Sequence, residues 1–244
     1  MSRYLAINEF YHLFDRGVEK RQIFMDKNDY FRFIHDLYEF NDVKPALQFG
    51  NVGRATGNVG RATSNTSSNI ASNIEERNRD LLVNVHAFVL MPNHHHLLAE
   101  QLKDDGITLF MKKLHGGYAR GFNEKHKRNG YLFQGRFKDV HVSRDKQLAH
   151  LVCYIHSNPL KIWKKNWKEK QLTKPEIKEA LKFLEKYRWS SHLDYLGIKN
   201  FPSIINKEFL LEFFNGTEGY KKFFIDWLEQ YEKNVDSIRK LVLE

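Results

Sequence analysis

The stretch MPNHHHLLAE, residues 91–100, places three histidines in succession. On an extended strand side chains alternate faces, so His94 and His96 share one side and His95 points to the other. Two imidazoles at i and i+2 suit a single metal ion. A second stretch, QLAHLVCYIHSNPL at 147–160, carries Leu148, Leu151, Val152 and Ile155 at helical spacing, a stripe made for burial. Tyr154 and Asn158 lie four apart along the edge of that stripe, one turn from each other. Pro159 ends the helix there, because the residue before proline avoids helical geometry. If that edge faces the strand, His94, His96 and Asn158 offer two nitrogens and one oxygen. Such a set suits Mg²⁺ or Mn²⁺ and leaves room for phosphate oxygens. A structural zinc site more usually has four protein ligands, often thiolates, and the chain has one cysteine, Cys153. Tyr154 is then a candidate nucleophile toward phosphate, provided positive charge beside it favours the phenolate. The same residues also fit a plainer description: a His-rich turn with no ligand, and a half-buried helical tyrosine.

The elements around these stretches follow a definite order. FYHLF at 10–14 reads as a strand, and Asp15-Arg16-Gly17 as a turn. Residues 28–40 space Tyr30, Phe31, Ile34, Leu37 and Tyr38 as a helix, with Asp26 or Asn28 to cap it. Residues 82–90 and 94–100 read as strands joined by Met91-Pro92-Asn93. A helix over 107–126 follows, with Leu109, Phe110, Lys113, Leu114 and Ala119 along its buried stripe. Residues 137–142 alternate as a strand, and Ser143 or Asp145 opens the helix that carries Tyr154. The order β-α-β-β-α-β predicts an α+β fold, a ferredoxin-like split βαβ core with an antiparallel sheet and helices on one face. That core takes up residues 1–160. Within it, 48–80 reads as a flexible insertion, since GNVGRAT is repeated and a Ser/Asn tract follows, with almost nothing to bury. Residues 161–244 form a mostly helical C-terminal extension, expected to pack on the core through Trp189, Tyr195, Phe213 and Trp227.

Charge narrows the class of partner. A net charge of +9 and a pI near 9.4 suit a polyanion, since each neutralised phosphate releases counterions. The aromatic fraction of 14% adds rings on which unpaired bases can stack. Arg16, Arg136, Lys138, Lys161, Lys164 and Lys165 are the candidate DNA contacts, although exposed lysines are commonly just solvated charges. The most apolar run, about 83–91, is broken by Asn84 and His86, which argues against a membrane partner. MSRYLAINEF shows no basic segment followed by an apolar one, so a cytoplasmic, nucleoid-associated protein is expected. One cysteine excludes an intramolecular disulfide framework.

MPNHHHLL followed by YIHSNP resembles the paired signature of the HUH-type single-tyrosine transposases, the IS200-like and REP-associated tyrosine transposase family. YHLFDRGVEKRQIFMDKNDYFRFI is similar to that family's opening strand, turn and helix, YLFQGRFKDVHV to its later strand, and KYRWSSHLDYLG to a segment of the REP-associated branch. The likeness spans about 8–47 and 81–196. It implies an HUH endonuclease-like core, His94, His96 and Asn158 as metal ligands, and Tyr154 as the nucleophile. It further implies Mg²⁺ or Mn²⁺, single-stranded DNA with hairpin or palindromic structure as partner, and action as a monomer or homodimer. The reaction expected is cleavage through a 5′-phosphotyrosine link that leaves a 3′-hydroxyl. Two features depart from the pattern: His95 stands where the family has a hydrophobic residue, and the repeat at 50–73 is an insertion. Two other functions fit the same residues. One is a DNA-hairpin-binding protein with little or no cleavage; the other is a metal-dependent phosphohydrolase, which leaves Tyr154 without a role.

Overall fold

A computed structural model describes residues 4–45, 79–143, 145–236 and 238–241. Strand β1 (Phe10–Arg16) leads through a short 3-10 turn to helix α1 (Lys27–Glu39). Asp26 starts that helix with a capping box: its carboxylate accepts from the Asn28 and Asp29 amides, and Asp29 accepts in return from the Asp26 amide. Strands β2 (Val83–Met91) and β3 (His94–Gln101) form a hairpin, followed by helix α2 (Gly106–Lys125) and strand β4 (Lys138–Val142). The sheet runs β2-β3-β1-β4 with every neighbouring pair antiparallel. This is the ferredoxin-like split βαβ order that the sequence predicts. Asp15 and Arg16 belong to the strand rather than to a turn. Arg16 pairs with His94, and the Gly17 amide donates to the Asn93 carbonyl at 2.8 Å, so the ladder continues through them.

Helices α1 and α2 cover one face of the sheet. Leu13, Phe88, Leu90 and Leu97 meet Phe33, Phe110, Leu114 and Tyr118 there in one apolar cluster. The two helices pack closely at Gly117 and Gly121, where an added Cβ would strike the Phe40 ring and the Arg32 guanidinium. The buried stripe of α2 is Ile107, Phe110, Met111, Leu114, Tyr118 and Phe122, so the predicted stripe is displaced around the helix. Leu109 is exposed, and Lys113 reaches out to the Asp42 and Lys44 carbonyls.

The opposite face is covered by α3 (Asp145–Ser157) and the extension. Helices therefore flank both sides of the sheet, with only the two split-βαβ helices confined to one. The extension holds α4 (Leu160–Trp163), α5 (Lys174–Leu184), α6 (His192–Tyr195), α7 (Glu208–Phe213), α8 (Gly216–Glu229) and α9 (Tyr231–Asp236). Trp167, Tyr195, Tyr220 and Trp227 share one apolar cluster with Val89 and Leu98 of the sheet and Leu151 of α3. Of the expected contacts, Trp189 stacks on Tyr30 at 4.5 Å, while Phe213 is 43% exposed and Phe214 is buried in its place. The extension also lines the outer edge of β2. The Leu90 amide donates to the Trp189 carbonyl at 2.9 Å, and the Ser191 amide to the Phe88 carbonyl at 3.1 Å.

The insertion expected at 48–80 lies outside the described residues up to position 78. Its last two positions are tied down. The Arg79 guanidinium sits 3.8 Å over the Tyr38 ring, and the Asp80 carbonyl accepts from Val43 at 2.9 Å. Among the described residues no helix is long and apolar enough to cross a membrane.

Candidate functional site

Strand alternation and cross-strand register together decide what surrounds the histidines. His94 and His96 face α3, with Arg16 and Phe14 opposite them on β1 and Met91 and Val89 on β2. His12 shares this face of β1, and its Nε2 lies 2.9 Å from His96 Nδ1 with the two rings stacked at 5.0 Å. Asn93 Oδ1 accepts from His94 Nδ1 at 2.7 Å. Both ligand candidates thus use Nδ1 to hold a neighbour, and a metal would be met by Nε2, the arrangement usual when an outer partner fixes a histidine ligand. The two rings stand 5.1 Å apart and nearly perpendicular. Burial, the adjoining imidazoles and the Lys161 ammonium hold His96 well below the usual histidine range. It is therefore neutral at physiological pH, the form that binds metal.

Helix α3 brings the second stretch to the same place. The Tyr154 ring lies edge-on to His96 at 5.9 Å and to His12 at 6.4 Å, and the Lys168 ammonium sits 4.9 Å from its centroid. One turn on, Asn158 donates from Nδ2 to the Tyr154 carbonyl at 3.0 Å. That bond orients the amide, and Oδ1 is buried with no hydrogen-bond partner among the described residues. A buried amide oxygen left without a donor calls for an explanation, and a cation supplies one. Two imidazoles and an amide oxygen fit a divalent ion such as Mg²⁺ or Mn²⁺. Pro159 interrupts the helix as expected, but the chain resumes helical geometry at once in α4.

A cavity of about 870 Å³ opens beside the histidines. Phe14, His94 and His96 line it together with Arg16, Arg136, Lys138, Lys161 and Lys165. Lys164 is elsewhere: its ammonium pairs with Glu176 at 2.6 Å, holding that carboxyl down at about 2. Tyr154, 2% exposed, and Asn158 stand behind the lining rather than in it. Lys20, His12 and Asn93 have no counterpart in the sequence-based set: Lys20 lines the cavity, His12 backs His96 and Asn93 holds His94. Lys168 belongs to the basic run from Lys161 to Lys170 that the sequence offers as weak phosphate contacts, and here it covers Tyr154. Their signals were weak, because FYHLF reads as an ordinary apolar strand and the two lysines as solvated charges.

His95 points to the opposite face, against Phe33 and Phe133. It is not an isolated bystander. Its Nε2 lies 3.4 Å from His115 Nε2, and His115 Nδ1 lies 3.6 Å from Asp15 Oδ2. Burial pushes His115 down to about 3 and Asp15 up to about 6, both toward their neutral forms. The contact is too long and too dry to count as an ion pair at neutral pH.

Another cluster has metal-like donors, Asp26, Asp29 and His126. Lys125 already fills it, its ammonium 2.7 Å from both carboxylates at the start of α1. It is a helix cap with its own cation.

No curated protein matches the sequence. A solved structure of a REP-associated tyrosine transposase bound to a REP hairpin aligns with 14% identity and a TM-score of 0.43, covering 84% of this chain and 90% of that one. A likeness that low leaves the fold to stand on the strand order described above. The family comparison is more direct, for residues 59–158 match the family described as "Transposase IS200 like". That span holds the histidine motif, the tyrosine and Asn158.

Proposed function

We propose that this protein cuts and rejoins single-stranded DNA at hairpin or palindromic structures, with Tyr154 as nucleophile. His94, His96 and Asn158 would hold a divalent metal, Mg²⁺ or Mn²⁺. The observation that carries this reading is the Tyr154 ring set edge-on to His96 beside a cavity walled by arginine and lysine. When bound, the metal supplies positive charge where the scissile phosphate gathers negative charge.

The remaining work falls to side chains. Arg16, Arg136, Lys138, Lys161 and Lys165 hold backbone phosphates on either side of the cut, which orients the strand without reading its bases. His12 and Asn93 keep the two imidazoles in one orientation. The Tyr154 oxygen attacks phosphorus, and the bond from phosphorus to the 3′ oxygen breaks. The phenolic proton passes to water, and the leaving oxygen takes up a proton to become a 3′-hydroxyl. Tyr154 then carries the 5′-phosphate as an ester. Attack by another 3′-hydroxyl reverses the step and joins strands, because one phosphodiester replaces another and no ATP is needed. Lys168 places positive charge over the ring of the nucleophile.

The burial of Tyr154 behind the cavity lining favours a second reading, a hairpin-binding protein that cuts little or not at all. Incubating the protein with labelled DNA hairpins and Mn²⁺ separates the two. The enzyme reading expects a denaturant-resistant protein–DNA adduct that Tyr154→Phe does not form. No adduct across a range of hairpins, or one that persists in Tyr154→Phe, overturns it. Hairpin affinity that is unchanged in His94→Ala, in the absence of any adduct, establishes the binding protein.

A further inference from the structure

His156 sits between Tyr154 and Asn158 in the chain but faces the other way, into the extension. It is wholly buried, and so are the three side chains around it, Ser191, His192 and Tyr220. His156 Nε2 lies 2.7 Å from Ser191 Oγ, and His156 Nδ1 lies 2.7 Å from the Tyr220 hydroxyl. That hydroxyl also lies 2.6 Å from His192 Nδ1. Ser191 Oγ in turn accepts from the Phe88 amide of β2 at 2.9 Å.

Proton counting restricts this group to a few states. The Tyr220 hydroxyl has one proton and two imidazole nitrogens beside it, so it donates to one and accepts from the other. The two histidines must therefore hold complementary tautomers. Burial keeps both neutral, with His156 well below the usual histidine range and His192 at about 3. His192 Nε2 has no hydrogen-bond partner among the described residues, but the remaining links join His156, Ser191, Tyr220 and His192 Nδ1. Such a buried network fixes geometry more sharply than apolar packing, since each displaced member strands a further polar atom.

The network also spans the two halves of the candidate site. Phe88 lies on β2, which carries Val89 and Met91 opposite His96 and His94. His156 lies on α3 with Tyr154. Through Ser191, the outer strand is tied to the helix at the level of the nucleophile. Resting on the function proposed above, we infer that His156, Ser191, His192 and Tyr220 are positioning residues. They set Tyr154 and Asn158 relative to the histidine pair, and the C-terminal extension is thereby a working part of the site.

Tyr220→Phe in the full-length protein tests this, because it removes one hydroxyl and keeps the ring. Single-turnover adduct formation, scaled to folded protein, is expected to slow about tenfold or more, since small misplacements of reacting groups have large effects. Hairpin affinity is expected to stay unchanged, and Mn²⁺ affinity, read by electron paramagnetic resonance, to weaken. A merely structural role would lower the melting temperature and leave both the rate per folded molecule and Mn²⁺ binding alone, which overturns the inference. So does a rate loss matched by an equal loss of hairpin affinity. His192→Leu, which removes only the second partner of Tyr220, is read by the same criteria should Tyr220→Phe not fold. Failure of the wild-type protein to form any adduct would count against the proposed function, while Mn²⁺ affinity in the variants would still report on positioning.

Discussion

On the α3 side of β3, His94 and His96 each use Nδ1 to hold a neighbour and border a basic cavity. On the α2 side, one residue along the same strand, His95 meets His115, with Asp15 behind, among aromatic rings. Three identical side chains thus have two different settings. On one side the rings border a cavity walled by arginine and lysine. On the other His95 and His115 are turned on each other among aromatic rings, while His95 Nδ1 and Asp15 Oδ2 are buried with no hydrogen-bond partner among the described residues. Residue type says little here, and the face of the strand says nearly everything.

Breaking the first face should have the largest effect. His96→Ala is expected to lower adduct formation by about 100-fold or more, through loss of a proposed metal ligand, as measured on labelled hairpins with Mn²⁺. His12→Leu removes only the contact to His96 Nδ1. Metal affinity is expected to fall by about 10-fold, the lower end of the range for an outer partner, and a Mn²⁺ titration measures it. A wild-type affinity in His12→Leu would show that the two sides of β3 differ less than their contacts suggest. His95→Leu, on the other face, should leave adduct formation at the wild-type level. A large drop in that variant would erase the distinction between the faces.

The smallest effect concerns Asp15, and it depends on pH. Its carboxyl binds a proton more tightly when folded, at about 6, than at its ordinary value of 3.8, because burial disfavours the charge. The stability it contributes is therefore present below about pH 4 and is lost as pH rises through 6. Asp15→Asn should melt a few degrees above the wild type at pH 7, from a gain of about 1–3 kcal/mol. That advantage should vanish on acidification to pH 4. Melting curves at the two pH values decide it, and equal curves at pH 7 would show that Asp15 is not strained by its burial.

The division between faces was legible in MPNHHHLLAE, since alternation needs only the knowledge that 94–101 is a strand. The split βαβ order followed from element order alone. What could not be read was anything set by register or by distant pairing. His12 sits beside His96 only because β1 aligns Phe14 with His96. His156 meets Ser191 and Tyr220 across 35 and 64 residues. The stripe on α2 was misplaced for a related reason. Gly117 and Gly121 let α1 in close, and that contact, rather than the summed apolarity of Leu109 and Ala119, sets which side of the helix turns inward. Lys164 and Lys165 are neighbours of one type, yet only one reaches the cavity, because Glu176 at the start of α5 captures the other.

The apolar cluster under α3 is completed by Trp167, Tyr220 and Trp227, which are made long after β3. During synthesis at roughly 5–20 residues per second, on the order of ten seconds separate the histidine pair from the last of these side chains. For that interval Val89, Met91 and Leu98 have at most α3 and the first part of the extension to cover them, and until residue 191 is made the outer edge of β2 lacks the backbone of Trp189 and Ser191 that later pairs with it. An open edge beside bare apolar side chains is prone to stick to other chains. A product truncated before residue 189 would hold both histidines and Tyr154, yet lack Ser191, His192 and Tyr220. The tie from the outer strand through Ser191 and Tyr220 to α3 is thus completed only when the last helices arrive.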